Sequence, residues 1–279
     1  MLFRSFQSHR DQFALAFTHD ELRERMSLFR GTVNSDAQIK ELLNVADSGS
    51  WSVEKARAKI RADKNWEQEI VQIDYRPFDS RWCYYNTVAV DRPRPELVAH
   101  VARQENLCLS LMRQTKSITW QHAFAGMSPA SAVYLEIKDG STVFPLYLYP
   151  NGNMPEEDLF AHDNGRRPNL SAKFIKDFCE RLNCEFIPDG FGRPAKREVG
   201  PECIFNYAYA IFHSPTYRER YADFLRADFP RLPLISNWDL FRELAGLGMW
   251  LVDLHARGQG KNTPVGFPVK GKEIGRAHV

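Results

Sequence analysis

Residues Glu202–Leu234, ECIFNYAYAIFHSPTYRERYADFLRADFPRLPL, decide how this chain folds. Ile204, Ala208 and Ile211 recur at three- and four-residue spacing, as do Phe205, Ala208 and Phe212. That period predicts a short buried helix, closed by His213. Ser214 then offers a capping oxygen, and Pro215 stands at the first helical position, where its missing N–H costs nothing. A second helix follows, with Tyr217, Tyr221, Phe224 and Leu225 on one side and Arg218, Glu219 and Arg226 elsewhere. It ends before Phe229-Pro230-Arg231-Leu232-Pro233, because residues ahead of proline are pushed out of the helical region, so the tail runs extended. By itself the stretch is a helix–turn–helix–strand packing unit.

Working outward, the chain has 279 residues, enough for one large domain or two small ones. Its aromatic content of 13% can fill a sizeable core and excludes a disordered tail. A net charge of +2 neither requires nor excludes a polyanion partner, since a domain can read nucleic acid on one face and stay near neutral overall. Cys83, Cys108, Cys179, Cys184 and Cys203 show no CxxC spacing and no accompanying histidines, which argues against zinc and for reduced thiols in a cytoplasmic protein. No signal peptide follows Met1, and no apolar run reaches the length of a membrane span.

In chain order, Ser8–Ile73 is expected to be helical. One helix starts at His19-Asp20-Glu21, runs through Leu22, Met26 and Phe29 and stops at Gly31; Ser35 or Asp36 caps the next, with Ile39, Leu42 and Leu43 on one face. Tyr75–Tyr85 switches to strand chemistry, with an arginine–Asp79 pair locking the turn. Asp91-Arg92-Pro93-Arg94-Pro95 is a stiff loop, because two prolines remove donors, and Glu96–Arg103 is a short helix. Leu107–Met112, the stretch from Trp120, Ser131–Ile137 and Val143–Tyr149 are expected as strands, with a turn at Gly140. Short polar turns between them suggest a mostly antiparallel sheet. Ser171 caps a helix through Phe174, Phe178 and Leu182; the loop Asp189–Pro201 follows. In the last helix, Leu240, Leu244, Leu247, Leu251 and Leu254 form a narrow stripe, and Gly246 and Gly248 let a neighbour approach.

The order buried helix, HSPTYRERYADFL, DFPRLPL resembles the C-terminal target-recognition region of type ISP single-polypeptide restriction-modification enzymes and related adenine-specific DNA methyltransferases. YRPFDSRWCYY (Tyr75–Tyr85), DRPRPELVAHVARQENLCLSLMRQ (Asp91–Gln114) and VFPLYLYP (Val143–Pro150) agree. The resemblance covers about His9 to Phe267. It implies an α+β fold: a helical connector over residues 1–73, then a recognition domain over 74–272 with a mixed, mostly antiparallel sheet closed by C-terminal helices. Residues 273–279, EIGRAHV, match the translation of a sequencing adapter and are set aside as an artefact. FQSHRDQFALAF resembles the family stretch after the methyltransferase domain, so Met1 is expected to be an internal start or a fragment boundary. The implied partners are double-stranded DNA and an upstream methyltransferase domain carrying S-adenosylmethionine, with no membrane.

The residues fit that implication. A methyltransferase needs a glycine-bearing cofactor loop and an Asp/Asn-Pro-Pro-aromatic motif. Neither occurs: Asn206-Tyr207-Ala208-Tyr209 lacks the prolines, and Gly190-Phe191-Gly192 has no strand–helix context. Glu136-Ile137-Lys138 is half of a metal-dependent nuclease site, which would need a second carboxylate such as Asp79 or Asp91. Exposed Glu and Lys beside a turn are commonplace, so this stays the alternative. DNA reading suits the chain better. Arg113, Gln114, Lys116 and Ser117 carry base-edge chemistry, and Arg92, Arg94, Arg193, Lys196 and Arg197 suit phosphates. Trp120 and His122 are candidates at the same interface, although Trp120 is equally explained as core. A scaffold without DNA contact is the third reading.

Overall fold

The computed structural model describes residues 1–49, 51–136, 140–150 and 165–257. Strand β1 (Phe3–Arg4) opens the chain, followed by the single turn α1 (Asp11–Ala14) and β2 (Leu15–Ala16). Helix α2 (His19–Arg30) starts where Thr18 accepts the Glu21 amide, buries Leu22, Met26 and Phe29 on one face and ends at Gly31. Helix α3 (Asp36–Leu42) begins with a capping box, Ser35 and Gln38 satisfying each other's amides. Ile39 is buried, but Leu42 is 60% exposed, so the two do not share a face with the core. Helix α4 (Val53–Ala62) brings in Arg57, whose side chain is buried. Its guanidinium donates to the carbonyls of Phe29 (2.7 Å) and Asn34 (2.8 Å) and pairs with Asp36. A buried charge is tolerated because it is paired and hydrogen-bonded, and here it clamps the α2–α3 turn onto α4.

Helical structure stops sooner than expected. A 3-10 turn at Trp66–Glu69 leads into β3 (Ile70–Arg76), which forms a hairpin with β4 (Asp79–Tyr84) in register Ile70↔Tyr84 and Gln72↔Trp82. Val71 and Ile73 point inward and Gln72 outward, a period of two that overrides the helical reading of the preceding residues. Strand β2 pairs with the other edge of β4. At the hairpin tip Arg81 grips Asp79 at 2.8 Å, as expected for the turn, while Arg76 donates to the carbonyl of Val133. Phe78 adopts φ 63°, the position where a turn led by Pro77 favours glycine.

Helix α5 (Pro95–Val101) follows the proline loop. Strands β5 (Cys108–Leu111), β6 (Ala123–Gly126) and β7 (Thr142–Pro145) build the central sheet, order β1-β7-β5-β6, all antiparallel. Its edge strand comes from the first residues of the chain, Phe3 facing Val143. The expected strand at Ser131–Ile137 is not formed over its described part, 131–136. Its amides go elsewhere: Ser131 to the Asp74 carbonyl (2.9 Å), Ala132 to that of Phe6 (2.8 Å), and Tyr134 back to Ser131 (3.0 Å). These bonds reach separate elements and leave no ladder. Ile137 lies outside the described residues, and Gly140 takes φ 68° ahead of β7. Strand β8 (Tyr147–Leu148) pairs with β9 (Arg167–Pro168).

The C-terminal part closes the sheet. Helix α6 (Ala172–Leu182) is capped by Ser171, and β10 (Glu185–Phe186) runs parallel to β11 (Glu198–Val199). Helix α7 (Pro201–His213) is nearly all buried. The stretch after Ser214 divides at Tyr221 into α8 (Pro215–Arg220) and α9 (Ala222–Ala227), not one helix, and then runs without regular structure to Asn237. Helix α10 (Trp238–Ala256) packs along α7. Its buried face is Phe241, Ala245, Gly248 and Val252. The leucine stripe is only partly the packed face: Leu244 and Leu251 pack against the core, but Leu240 is 43% and Leu247 59% exposed. Gly248 explains the rotation. A Cβ there would overlap the carbonyl oxygen of Asn206, so the α7 backbone presses against a position without a side chain, whereas Gly246 faces open space. The architecture is therefore α+β, with a helical N-terminal part and an antiparallel sheet covered by helices.

Two outcomes test this packing. Gly248→Ala should lower stability by about 1–3 kcal/mol through overpacking, whereas Gly246→Ala should raise it by up to about 1 kcal/mol through helix propensity; thermal melts of the two variants check both. Asp74 on β3 faces Gly126, and burial pushes its pKa up to about 7 from 3.8. A native state that holds this proton more tightly than the unfolded chain loses stability as pH rises from about 4 through 7. Asp74→Asn should remove that decline, so its advantage over the parent in urea melts should grow across this window, by at most about 1.4 kcal/mol per pH unit.

Candidate nucleic-acid interface

Leu111 and Ala123 are paired across β5 and β6, so residues 112–122 form the loop between two strands. The loop is pinned at three places. Met112 is buried at its start. The Thr115 amide donates to the Arg226 carbonyl (3.2 Å), and its hydroxyl donates to Glu136 (2.9 Å) and accepts from the Ser117 amide (3.0 Å). Trp120 is buried against Phe212, with the Arg218 guanidinium 5.6 Å from its ring centre. Between these anchors Arg113, Gln114, Lys116, Ile118 and Thr119 are exposed and Ser117 is half-buried.

Charge is arranged unevenly around the loop. Arg113 leans toward Asp228 at 3.4 Å, an exposed pair that competes weakly with another anion. His122 is buried, 3.6 Å from Glu136. Burial lowers its pKa, opposed by Glu136 and helped by Arg218, so near pH 7 it is neutral and is no phosphate-binding cation.

The other basic candidates stand apart from this loop. Arg92 is exposed, 3.8 Å from Asp91, and its backbone is fixed by paired bonds with Gln7. Arg94 takes φ 51° ahead of α5 and is half-buried. Arg193 grips Glu198 at 2.6 Å and holds that carboxyl below its ordinary pKa. Arg197 donates to the carbonyls of Leu182 and Asn183 (3.2 Å each), so it caps the C-terminus of α6. Lys196 is exposed. The structure thus brings together Arg113, Gln114, Lys116 and Ser117 on one loop, with Trp120 and His122 as its inner supports.

A family model, the type ISP C-terminal specificity domain, matches residues 4–277. The chain belongs to this family. No curated protein matches its sequence. Among solved structures, the specificity domain is similar to a DrdV–DNA complex determined by cryo-electron microscopy (22% identity, TM-score 0.65, 92% of this chain and 23% of that one). It is also similar to the ATP-dependent type ISP restriction-modification enzyme LlaBIII bound to DNA (20% identity, TM-score 0.62, 95% and 16%). A nuclease-deletion mutant of the type ISP enzyme LlaGI, in complex with a DNA substrate mimic, shares the fold as well (18% identity, TM-score 0.59, 96% and 19%). The chain spans less than a quarter of the length of each.

The nuclease alternative finds no support in the specificity domain. Glu136 is taken by Thr115 and lies beside His122; Asp79 is held by Arg81, and Asp91 by His9 at 3.1 Å. Lys138 lies outside the described residues, and among the described residues no three His, Cys, Asp or Glu side chains converge on a metal position.

Sequence reasoning did not find Thr115 and Glu136 as the loop's anchor, because they are 21 positions apart. Nor did it find the ring cluster of Phe78, Phe124 and His255, centroids 5.4–5.8 Å apart, at the hairpin tip. Pro77 was a usable signal there, since proline suits the first central position of a turn. If Glu136 anchors the loop, Glu136→Ala should speed amide hydrogen exchange across residues 113–119 about ten-fold or more, the worth of one hydrogen bond to a charged group. Exchange measured by mass spectrometry should leave β5 and β6 unchanged.

Proposed function

We propose that this specificity domain recognises a short double-stranded DNA sequence on behalf of a restriction-modification enzyme or an adenine-N6 DNA methyltransferase. The observation that carries the reading is the family match over nearly the whole chain. Three structural neighbours described with DNA support it, and so does a pinned loop that offers guanidinium, amide and ammonium groups to solvent. Such groups pair with base edges, arginine with guanine and glutamine with adenine. In this proposal bond-making belongs to an upstream methyltransferase domain of the parent chain, which binds S-adenosylmethionine. The location is the cytoplasm; among the described residues no helix is long and apolar enough to cross a membrane.

Selection from a random duplex library, followed by fluorescence anisotropy, tests the proposal. A preferred site should emerge, with affinity that falls as salt rises. Lys116→Ala should lower the log–log salt slope by about one, and Arg113→Glu with Lys116→Glu should weaken specific binding by at least about ten-fold without shifting the melting temperature. Equal affinity of that double variant and the parent would favour the scaffold reading instead.

A further inference from the structure

We propose that Ile118 reads the 5-methyl group of a thymine in the duplex that the domain binds; the proposal rests on the DNA-recognition reading above. Ile118 is 90% exposed. Its chain neighbours Lys116, Ser117 and Thr119 are all hydrogen-bonding residues, and Arg113 and Gln114 share the loop. The loop does not need Ile118 for its own packing, because Thr115 and Trp120 fix it on either side. A β-branched apolar side chain is thus held outward at a set place, with its ordering cost met by its neighbours.

Among the other exposed apolar side chains of the described residues, only Val33, at 94%, matches Ile118, and none of them lies on this loop. Val33 lies in the turn between α2 and α3, and Leu247 and Trp250 lie along α10, where nothing in the structure shows what covers them. Phe78 turns its ring against Phe124 and His255. Val33 is also an exposed aliphatic side chain with polar neighbours, Thr32 and Asn34, but Ile118 shares its loop with Arg113, Gln114 and Lys116. In the major groove each base pair presents donors and acceptors, and thymine alone adds an apolar methyl. An aliphatic side chain among polar readers matches that one feature.

The test uses the full 279-residue chain and its preferred duplex from the selection above, with each thymine replaced in turn by deoxyuridine, which lacks only the methyl. At one position the parent should lose about four-fold in affinity, the worth of one buried methyl. Ile118→Ala should lose the same amount on the thymine duplex and show no further loss on that deoxyuridine duplex. Ile118→Val should keep most of the discrimination, and none of the variants should change the melting temperature. Deoxyuridine penalties that persist unchanged in Ile118→Ala, or that never occur, overturn the proposal. So does a uniform loss on all duplexes with a straighter DNA by resonance energy transfer, the signature of a wedge between base steps. If a preferred site depends on Arg113 and Lys116 without any methyl coupling, only the role of Ile118 fails. If no preferred site emerges, the DNA reading fails and takes this one with it.

Discussion

Helix α7 has almost no face to give to water, and the C-terminal two-thirds of the molecule is arranged to cover it. Nine of its thirteen residues are buried, so every element around it must supply apolar surface or a polar partner. The Tyr209 hydroxyl accepts the Ala125 amide of β6 at 3.1 Å and meets His255 of α10 at 2.6 Å. The Tyr207 hydroxyl donates to the Pro233 carbonyl at 2.7 Å, which holds the extended tail, and Arg218 donates to the Phe212 carbonyl at 2.6 Å, which fixes α8. Burial pushes the His213 pKa down to about 4 and lowers that of His255. The network at the end of α7 is therefore neutral near pH 7 apart from Arg218, which suits its apolar surroundings.

This constraint explains what the sequence disclosed and what it withheld. The helix itself was legible, because Ile204, Ala208 and Ile211, and Phe205, Ala208 and Phe212, repeat at helical spacing and His213 closes it ahead of Ser214-Pro215. The caps at Ser35, offered beside Asp36, and at Ser171 were legible for the same local reason. The packed face of α10 was legible only in part. Gly248 marked the close approach, but Gly246 was offered on equal terms and faces open space, and the leucine period mixes Leu244 and Leu251, which pack, with Leu240 and Leu247, which do not. The missing strand at 131–136 is the same lesson in a sheet: apolar residues alone do not make a ladder when their amides are spoken for by Asp74 and Phe6.

At the candidate interface, residue types were readable and orientations were not. Arg113, Gln114 and Lys116 face solvent, whereas Trp120 and His122 support the loop from within and Arg197 closes a helix. Glu136 shows how one side chain supports two readings from sequence: beside a lysine it suggests metal chemistry, and beside Thr115 it is a strut. Only the tertiary partner distinguishes them. The same applies to the basic residues: Arg197 is exposed, yet its Nη1 is engaged by the carbonyls of Leu182 and Asn183.

The pairing of Phe3 with Val143 has a kinetic side. Partners that lie 140 positions apart cannot meet until a long loop has closed, and that closure is an entropic toll levied before any bond is made. Until that closure, a β7 paired with β5 has its other edge bare. An unpaired edge is the surface on which a growing chain most readily captures a foreign strand. The slowest and most vulnerable step in building this sheet should thus be the late arrival of β1.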